Sequence, residues 1–395
     1  MMTSKGYEPL QVNTTNNPVL PIDLDQSYLT KHLINLLNIP SPSGYTDQIV
    51  HYVGDELQKL EIPFHVTRRG AIRATIKGRS YSLYRAIAVH LDTLGAMVKC
   101  LKENGRLEIV PIGTWSSRFA EGARVTIFTN EGPFRGTILP LKASGHAYGD
   151  EIDSQKVSWD QTEIRVDEKC LSKMDLVKAG FNIGDFIAVD AAPELTPNNF
   201  LNARHIDDKG GVAILLTLAK WLKENQVIVP VDCHLLFTIL EEVGFGASGV
   251  IQNDVVEMVI IDNATVAPNQ NSSEYGATIA MMDNAGPFDY HLTHKLINLC
   301  EENQITYSRD IFNYYKSDAA SAIQAGNDTR TALVGFGVDG SHGYERVHIS
   351  SLLSVAKLIG HYVQSLPTFA RDKDDLTTLK GFPHQPVRDL IQINT

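Results

Sequence analysis

The sequence lacks the features that direct a chain to an oxidising compartment or a membrane. Its four cysteines are widely spaced and form no CxxC pair, so neither a disulfide framework nor a structural zinc knuckle is expected. No apolar run approaches the ~20 residues that span a membrane, and residues 1–17 lack the apolar segment of a signal peptide. These absences predict a reduced, cytoplasmic protein.

Positive charge is also scarce in this chain. The 35 Lys and Arg residues are outnumbered by 46 Asp and Glu residues, which gives a formal net charge of −11. A balance of this sign disfavours general binding to nucleic acid and to anionic membranes, so we expect neither as a partner. The length of 395 residues predicts more than one domain.

The order of apolar patterns predicts an α/β protein with a small all-β insertion. Residues 27–39 and 209–224 have apolar positions at helical spacing, whereas the runs DCHLLFTIL and EMVIIDNA are typical of buried strands. Between these two helical stretches lie short strand patterns, such as GRLEIVPI and ARVTIFTN, which are separated by glycine and polar turns. We predict a mostly parallel mixed sheet covered by helices, formed by residues 1–98 and 200–395 and interrupted by a β-rich domain at 99–199.

Residues of metal-binding type follow the apolar strand patterns at the points where these patterns stop. The carboxyl ends of parallel strands meet at the crevice in which such sheets bind ligands. The residues at these points are His90, Asp92, Asp207, Asp208, Glu241, Glu242 and Asp262, and His348 follows later in YERVHISS. Each has an ordinary explanation alone, since acidic pairs are common at helix N-termini and single Asp residues in turns. The occurrence of all of them where apolar strand patterns stop predicts that they form one functional site.

This mixture of side chains suits a pair of divalent metal ions. Two ions about 3.5–4 Å apart need a shared carboxylate and one or two further ligands each. Imidazole and carboxylate are typical ligands of zinc, cobalt and manganese. Of two adjacent acids, one can bind metal while the other takes a proton from the attacking water.

On these motifs the sequence resembles the M42 metallopeptidases, the group of glutamyl and tetrahedral aminopeptidases, over nearly its whole length. The family's His-x-Asp, Asp-Asp-Arg and Glu-Glu-Val-Gly motifs are matched by HLD at 90–92, DDK at 207–209 and EEVG at 241–244. Its late Arg-Tyr-x-His-Ser motif is matched more loosely by RVHIS at 346–350. ENGRLEIVPIGTW and GDFIAVD resemble its β-rich dimerisation domain.

The resemblance implies a zinc-aminopeptidase-like fold and two divalent metal ions per subunit, with zinc expected first and cobalt or manganese as alternatives. It implies that His90 and Asp262 hold one ion, that Glu242 and His348 hold the other, and that Asp207 bridges them. It further implies a homo-oligomer in which dimers assemble into a dodecamer.

The resemblance also implies catalytic residues and residues near the substrate. Glu241 is expected to be the general base, with Asp92 beside it orienting the imidazole of the first histidine ligand. Asp318, in YYKSDAAS, matches the family's Thr-Asp-Ala segment and is expected near the substrate. His342 and Arg346, in SHGYERVH, are expected to touch the substrate.

The segment SHGYERVH leaves the last metal ligand open between two histidines. We favour His348 over His342 because His348 follows Arg-x and begins an amphipathic helix. The segment is similar to the branch of the family found with systems that make the osmoprotectant N-acetylglutaminylglutamine amide.

The predicted function is that of a two-metal aminopeptidase, in which a metal-bound hydroxide attacks the carbonyl carbon of an N-terminal peptide bond. The alternative is a deacylase or dipeptidase that acts on an N-acylated dipeptide or its amide at the same site. A non-catalytic binding protein would keep the fold but lose the ligands. A glycosidase would need two carboxylates flanking a sugar, whereas this set mixes histidines with acids.

Overall fold

A computed structural model of the chain describes residues 20–252, 254–373 and 377–386. Across these residues the helices are α1 (Gln26–Leu37), α2 (Asp47–Lys59), α3 (Gly145–Tyr148), α4 (Lys173–Ala179), α5 (Ile206–Glu224), α6 (Tyr290–Glu302), α7 (Asp318–Gln324) and α8 (Ile349–Gln364). The strands of the first half are β1 (Phe64–Val66), β2 (Ile72–Ile76), β3 (Gly78–His90), β4 (Gly95–Leu101), β5 (Leu107–Ile112), β6 (Arg124–Thr129), β7 (Gly132–Pro140), β8 (Thr162–Val166) and β9 (Phe186–Val189). Those of the second half are β10 (Glu194–Leu195), β11 (Phe200–Ala203), β12 (Val229–Thr238), β13 (Val255–Val266), β14 (Ala277–Asp283), β15 (Gly286–Pro287), β16 (Tyr307–Ile311), β17 (Arg330–Asp339) and β18 (Glu345–His348).

A large mixed sheet forms the centre of the α/β part, in the order β1-β2-β12-β3-β13-β17-β18-β11-β10, with β14 pairing with β17 and carrying β15 and β16. The prediction of a mixed α/β sheet is confirmed, but "mostly parallel" describes only its centre. Strands β12, β3, β13 and β17 run parallel, whereas β2, β14 and β18 join this group antiparallel. For β17 and β18 the reason is the connection, since the short turn between them can only produce antiparallel neighbours, whereas parallel strands need a long crossover.

Helix α5 is buried along almost its whole length. It packs against the helices α1 and α8 and against the strands β13 and β3 of the sheet. Its sequence, IDDKGGVAILLTLAKWLKE, is apolar on nearly every face, which suits a helix enclosed between a sheet and an outer layer of helices. In the parts of the chain that the structure describes, no helix is both long and apolar enough to cross a membrane.

Strands β4 to β9 form a separate closed barrel in the order β4-β5-β8-β7-β6-β9. Its core is distinct from that of the large sheet and includes the fully buried side chains of Val125, Ile127, Ile138, Ile164 and Ile187. Along β6 and the first part of β5 buried residues alternate with more exposed ones, so one face of these strands lines the barrel interior. The barrel strands extend from residue 95 to residue 189.

The register of the central strands brings their carboxyl ends to one level. His90, the last residue of β3, lies opposite Thr238, the last residue of β12. On the other side of β3, Ile260 of β13 lies opposite Ala88, so Asp262 is level with His90. Strand β13 continues beyond that point along β17 to Val266. Asp262 is therefore inside a strand, at the place where β13 outlasts its shorter neighbour, and not at its end.

Candidate metal centre

Two histidines face the same carboxylate from opposite sides at the carboxyl ends of the central strands. His90 Nε2 lies 3.0 Å from Asp207 Oδ1. His342 Nε2 lies 3.3 Å from Asp207 Oδ2 and 3.8 Å from Glu242 Oε2. Asp207 thus offers one oxygen to each imidazole, the arrangement needed for a carboxylate shared between two ions. One ligand atom each from His90, Asp207 and Glu242 lie within 4.8 Å of one another.

Both histidines have their other ring nitrogen committed to a backbone carbonyl. His90 Nδ1 lies 2.8 Å from the carbonyl oxygen of Asp92, and His342 Nδ1 lies 2.8 Å from the carbonyl oxygen of Thr114. A carbonyl oxygen only accepts, so each Nδ1 carries the proton. The Nε2 atoms that face the carboxylates are thereby left without a proton and could bind a metal ion, in the orientation that outer hydrogen bonds impose on ligating histidines.

The acids of the cluster are crowded together away from water. Burial raises the pKa of Glu242 to about 8, and the charge of Asp207 adds to the effect. Burial also raises the pKa values of Glu241 and Asp262 well above their ordinary range, with nearby acids contributing. So many buried carboxylates are unfavourable without a compensating cation.

Asp207 is the exception among these acids, because its charged form is favoured. Burial alone would raise its pKa, but hydrogen bonds from His342 and His90 outweigh burial and lower it well below its ordinary range. The same contacts raise the pKa of His342 to about 10 against the opposing effect of burial. The site thus stabilises positive charge on both sides of Asp207, as a pair of cations would supply.

Asn263 is a site residue that the sequence analysis did not identify. Its side-chain Nδ2 donates to Asp207 Oδ2, and its Oδ1 is buried without a hydrogen-bond partner among the described residues. An orphaned buried acceptor beside a bridging carboxylate is consistent with a cation that completes the site. Its position directly after Asp262 was the available signal.

The loop that carries Glu241 and Glu242 is held in place by Asp92. The Asp92 side chain accepts from the backbone N–H of Glu241 at 3.1 Å, from that of Glu242 at 3.3 Å and from the Ser43 hydroxyl at 2.5 Å. The expected contact to His90 is made by the Asp92 backbone, since the carboxylate oxygen is 3.7 Å from His90 Nδ1. Asp92 therefore positions the acidic pair by its side chain and the histidine by its main chain.

Asp318 both supports the loop that follows β12 and lines the cavity over the acidic cluster. It is buried, and its carboxylate accepts from Thr238 Oγ1 at 2.6 Å and from the backbone N–H of Ala247 at 2.7 Å. It lines the cavity next to Glu241. Asp318 thus supports the end of β12 and the loop that follows, and its place in the cavity wall keeps it close to the acidic cluster, where it was expected.

The structure corrects the expectation for His348. Its Nδ1 lies 2.7 Å from Ser350 Oγ and its Nε2 lies 3.1 Å from the carbonyl oxygen of Asn198. The ring packs against Phe200 and Tyr275. Because β18 pairs with β11, this pairing directs His348 to Phe200 and leaves His342, in the preceding turn, beside Asp207.

Arg346 is also directed away from the cluster. Its guanidinium forms two 2.8 Å contacts with the Glu274 carboxylate and lies over the Phe200 ring, with 5.1 Å between Cζ and the ring centroid. The predicted substrate contact of Arg346 is therefore not supported by its position. His342, predicted as a substrate contact or rival ligand, has the place expected of the ligand.

A cavity of about 930 Å³ opens over the acidic cluster. Its walls include the acids Glu241, Glu242 and Asp262, the aromatic side chains of Phe312, Tyr314 and Tyr315, and polar groups such as Gln270, Asn284 and Asn313. Tyr314 is 99% exposed. The cavity is large enough for a few amino-acid residues and combines apolar surface with convergent polar groups, as substrate sites do.

Known proteins are similar to this chain in sequence and in fold. The sequence model of the M42 glutamyl aminopeptidase family matches residues 70–358. The Bacillus subtilis (strain 168) protein named "Putative aminopeptidase YhfE" is 38% identical over 331 residues, which cover 84% of this chain and 95% of that protein.

Solved structures agree with this assignment at the level of the fold. The TET aminopeptidase from the marine sediment archaeon Thaumarchaeota archaeon SCGC AB-539-E09 has a TM-score of 0.78 at 18% identity and covers 86% of this chain and 97% of its own. The Pyrococcus horikoshii TET1 peptidase has a TM-score of 0.75 at 21% identity over 86% and 100% of the two chains. The chain thus belongs to the M42 family of aminopeptidases and is a peptide hydrolase.

Proposed function

We propose that this chain is a two-metal aminopeptidase whose ligands are His90, Asp207, Glu242, Asp262 and His342. The observation that carries the proposal is the position of Asp207, which presents one carboxylate oxygen to each of two histidines. Each histidine has its Nδ1 proton engaged by a carbonyl.

The ligands divide into two groups around the shared carboxylate. His90 lies next to Asp207 Oδ1 and level with Asp262, and these would hold one ion. His342 lies next to Asp207 Oδ2 and Glu242, and these would hold the other. The mixture of imidazole and carboxylate favours zinc, with cobalt and manganese as alternatives.

Bound ions would polarise the scissile carbonyl and lower the pKa of a water molecule. Glu241 is the residue that moves protons: its carboxylate oxygen lies 3.9 Å from His90 Nε2, and its backbone is fixed by Asp92. Glu241 accepts a proton from the attacking water and delivers it to the amine of the leaving group. Asn263 keeps Asp207 oriented by donating to its Oδ2.

The proposal is tested with amino-acid arylamides on protein that has been stripped of metal and reloaded with zinc, cobalt or manganese. Glu241→Gln is expected to bind the metals with little change and to lose turnover, because it keeps the shape of the side chain but not its basicity. Activity near that of the parent in this variant contradicts the role of Glu241.

The substrate class is tested with paired substrates. A free N-terminus is expected to be required, so arylamides should be cleaved and N-acetylated arylamides or N-acylated dipeptide amides should not. Cleavage of the acylated compounds alone would assign the same metal centre to a deacylase.

We also infer that the barrel mediates homo-oligomerisation, with dimers assembling into a dodecamer. Leu171, Met174 and Val177 are spaced three residues apart along α4 and its N-terminal approach, and each is more than half exposed, as is Ile183. Contiguous exposed apolar residues are typical of interaction surfaces. The related Pyrococcus horikoshii TET1 peptidase assembles into a tetrahedron or an octahedral shell.

The assembly is tested by light scattering coupled to size exclusion. The parent chain is expected to be a large oligomer, and Met174→Glu combined with Val177→Glu is expected to produce smaller species. A monomeric parent chain overturns the inference.

A further inference from the structure

We propose that Glu345 is a positioning residue of the metal centre, which sets the distance between the bridging carboxylate of Asp207 and the imidazole of His342. The inference rests on the proposed two-metal function. It concerns a residue that lies next to the cluster without offering a ligand atom to it.

One carboxylate holds the main chains of both ligand-bearing segments. Glu345 Oε2 accepts from the backbone N–H of Asp207 at 3.1 Å. Glu345 Oε1 accepts from the backbone N–H of His342 at 3.0 Å. The residue is 1% exposed, so water does not compete for these hydrogen bonds. The two segments come from distant parts of the chain, the start of α5 and the turn between β17 and β18.

His342 needs such a support because its backbone is in an uncommon conformation. Its φ is +62°, in the left-handed region that residues other than glycine adopt only when their surroundings hold them there. The turn is closed by the N–H of Gly343, which donates to the carbonyl oxygen of Gly340 at 2.9 Å. The hydrogen bond to Glu345 ties this turn to the start of α5, where Asp207 lies.

A second contact fixes the ring of His342 from the barrel side. Thr114, whose carbonyl oxygen accepts from His342 Nδ1, belongs to the loop after β5. That loop approaches the site closely: a Cβ added at Gly113 would lie 2.5 Å from the Leu94 side chain and 3.4 Å from the Glu242 carbonyl oxygen. His342 is thus held by its main chain from Glu345 and by its ring from Thr114. Glu345 contacts His342 through its side chain, whereas Thr114 does so through its backbone carbonyl. Of these two partners, only Glu345 can therefore be tested by a conservative substitution.

A merely structural role for Glu345 and a positioning role lead to different results. A buried carboxylate that only satisfies two N–H groups would affect the stability of the metal-free protein and leave metal affinity unchanged. A residue that sets the distance between two ligands would alter metal affinity. Loss of such an outer partner typically weakens metal binding or activity about 10–100-fold.

The test compares Glu345→Gln with the parent chain. Glutamine has the same shape but a single acceptor oxygen, so its amide NH₂ must face one of the two N–H donors. We expect the affinity for at least one of the two ions to fall about 10–100-fold in a zinc titration. The visible spectrum of the cobalt-loaded protein should change, and kcat should fall more than KM changes.

Glu274→Gln is the matched control. Glu274 is also a carboxylate that fixes β18, through its contacts with Arg346, but it holds neither ligand. This variant is expected to keep the metal affinity and kcat of the parent chain. A loss of metal affinity equal to that of Glu345→Gln would show that any disturbance of β18 has this effect, and would overturn the specific role of Glu345.

The outcomes separate this inference from the proposed function. If the parent chain binds no metal and hydrolyses no arylamide, the two-metal function itself fails. If the parent binds two ions and Glu345→Gln titrates identically, only the positioning role fails. Should Glu345→Gln not fold, Glu345→Asp replaces it: this side chain is one methylene shorter and cannot span both donors, so the same loss of affinity is expected and parent-like affinity overturns the inference.

Discussion

His342 Nε2 lies 3.3 Å from Asp207 Oδ2, on the opposite side of that carboxylate from His90. We infer from this distance that the last ligand is the first of the two histidines in SHGYERVH. The second, His348, caps α8, since its Nδ1 accepts from the Ser350 N–H at 3.2 Å. The two residues should therefore respond differently to substitution.

His342→Ala is expected to lose one metal ion and more than about 100-fold in activity, because removing a ligand should exceed the 10–100-fold cost of losing an outer partner. His348→Ala should keep its metal content and most of its activity. It should lose about 1 kcal/mol of stability through the missing helix cap. Elemental analysis, arylamide kinetics and thermal unfolding of the two variants check this. Equal metal loss in both would contradict the assignment.

Asp92→Ala is expected to lower kcat about 10–100-fold, the usual effect of removing a group that orients ligands. Its carboxylate holds the main chain of both Glu241 and Glu242, so the base and one ligand should be misplaced together. Ser43→Ala removes one hydrogen bond to the same carboxylate and serves as a milder control. Steady-state kinetics and a zinc titration measure both. An unaffected kcat in Asp92→Ala would show that the loop holds its shape without this residue.

The metal-free protein should become less stable as the pH rises from about 5 to 8. Burial, with the charge of Asp207, raises the pKa of Glu242 to about 8 and that of Glu345 to about 8. Above a pH of about 4.3 the unfolded chain releases these protons, while the folded chain still holds them. Glu242 and Glu345 thus contribute their full stabilisation at pH values below their pKa in the unfolded chain. This contribution is lost as the pH rises through their pKa in the folded chain, which is about 8.

Thermal unfolding at several pH values, with chelator or with zinc, measures this dependence. With zinc the trend should weaken or reverse, since metal binding displaces protons and strengthens as the pH rises. A midpoint of the chelated protein that rises between about pH 5 and 8 would contradict the prediction.

Tyr314→Ala is expected to raise KM severalfold and to leave kcat nearly unchanged. Tyr314 is 99% exposed and lines the open side of the cavity, where it can contact the substrate equally in the ground state and the transition state. Removal of such uniform binding affects KM alone. Peptides of increasing length measure the effect, and a fall in kcat with unchanged KM would place Tyr314 closer to the reacting bond.

The ion pair between Arg85 and Glu257 should matter for stability and not for catalysis. Their nearest charged atoms are 2.8 Å apart, and both side chains are at most 2% exposed. Glu257→Gln leaves a buried guanidinium without its counter-charge and is expected to cost about 3–5 kcal/mol. The double variant Arg85→Met with Glu257→Gln should recover part of the loss, because the buried guanidinium is no longer left without its counter-charge. The recovery should be incomplete, since Lys295 Nζ, 3.9 Å from the Glu257 carboxylate, also loses its partner. Denaturant unfolding measures these differences, with arylamide activity as the readout that should stay unchanged.

Local patterns in the sequence were sufficient for the family, for the large mixed sheet and for most of the acidic cluster. His90, Glu241 and Glu242 come where the apolar strand patterns of β3 and β12 stop. Because parallel strands end at a common edge of the sheet, residues that follow them can be predicted to lie close together even when the loop conformations are unknown. Asp262 was found by the same reasoning although β13 continues beyond it, because a shorter neighbouring strand exposes a side chain as effectively as a strand end does.

Contacts between distant segments were beyond the reach of such patterns. Asn263 and Glu345 are polar residues within strands, and their partner Asp207 is more than fifty residues away in each case. The carbonyl of Thr114 is a backbone group that any residue would supply. No periodicity or spacing distinguishes such residues from ordinary polar positions.

The sequence by itself determined which residue types are available at the carboxyl ends of the central strands, because strand patterns and their ends are encoded locally. Only the tertiary structure showed that His342, and not His348, lies beside Asp207. The pairing of β18 with β11 directs His348 to Phe200, and the tight turn before β18, held by Glu345, folds His342 back onto Asp207. Only five residues lie between the two histidines, and the register of one strand pair determines which of them reaches the acids.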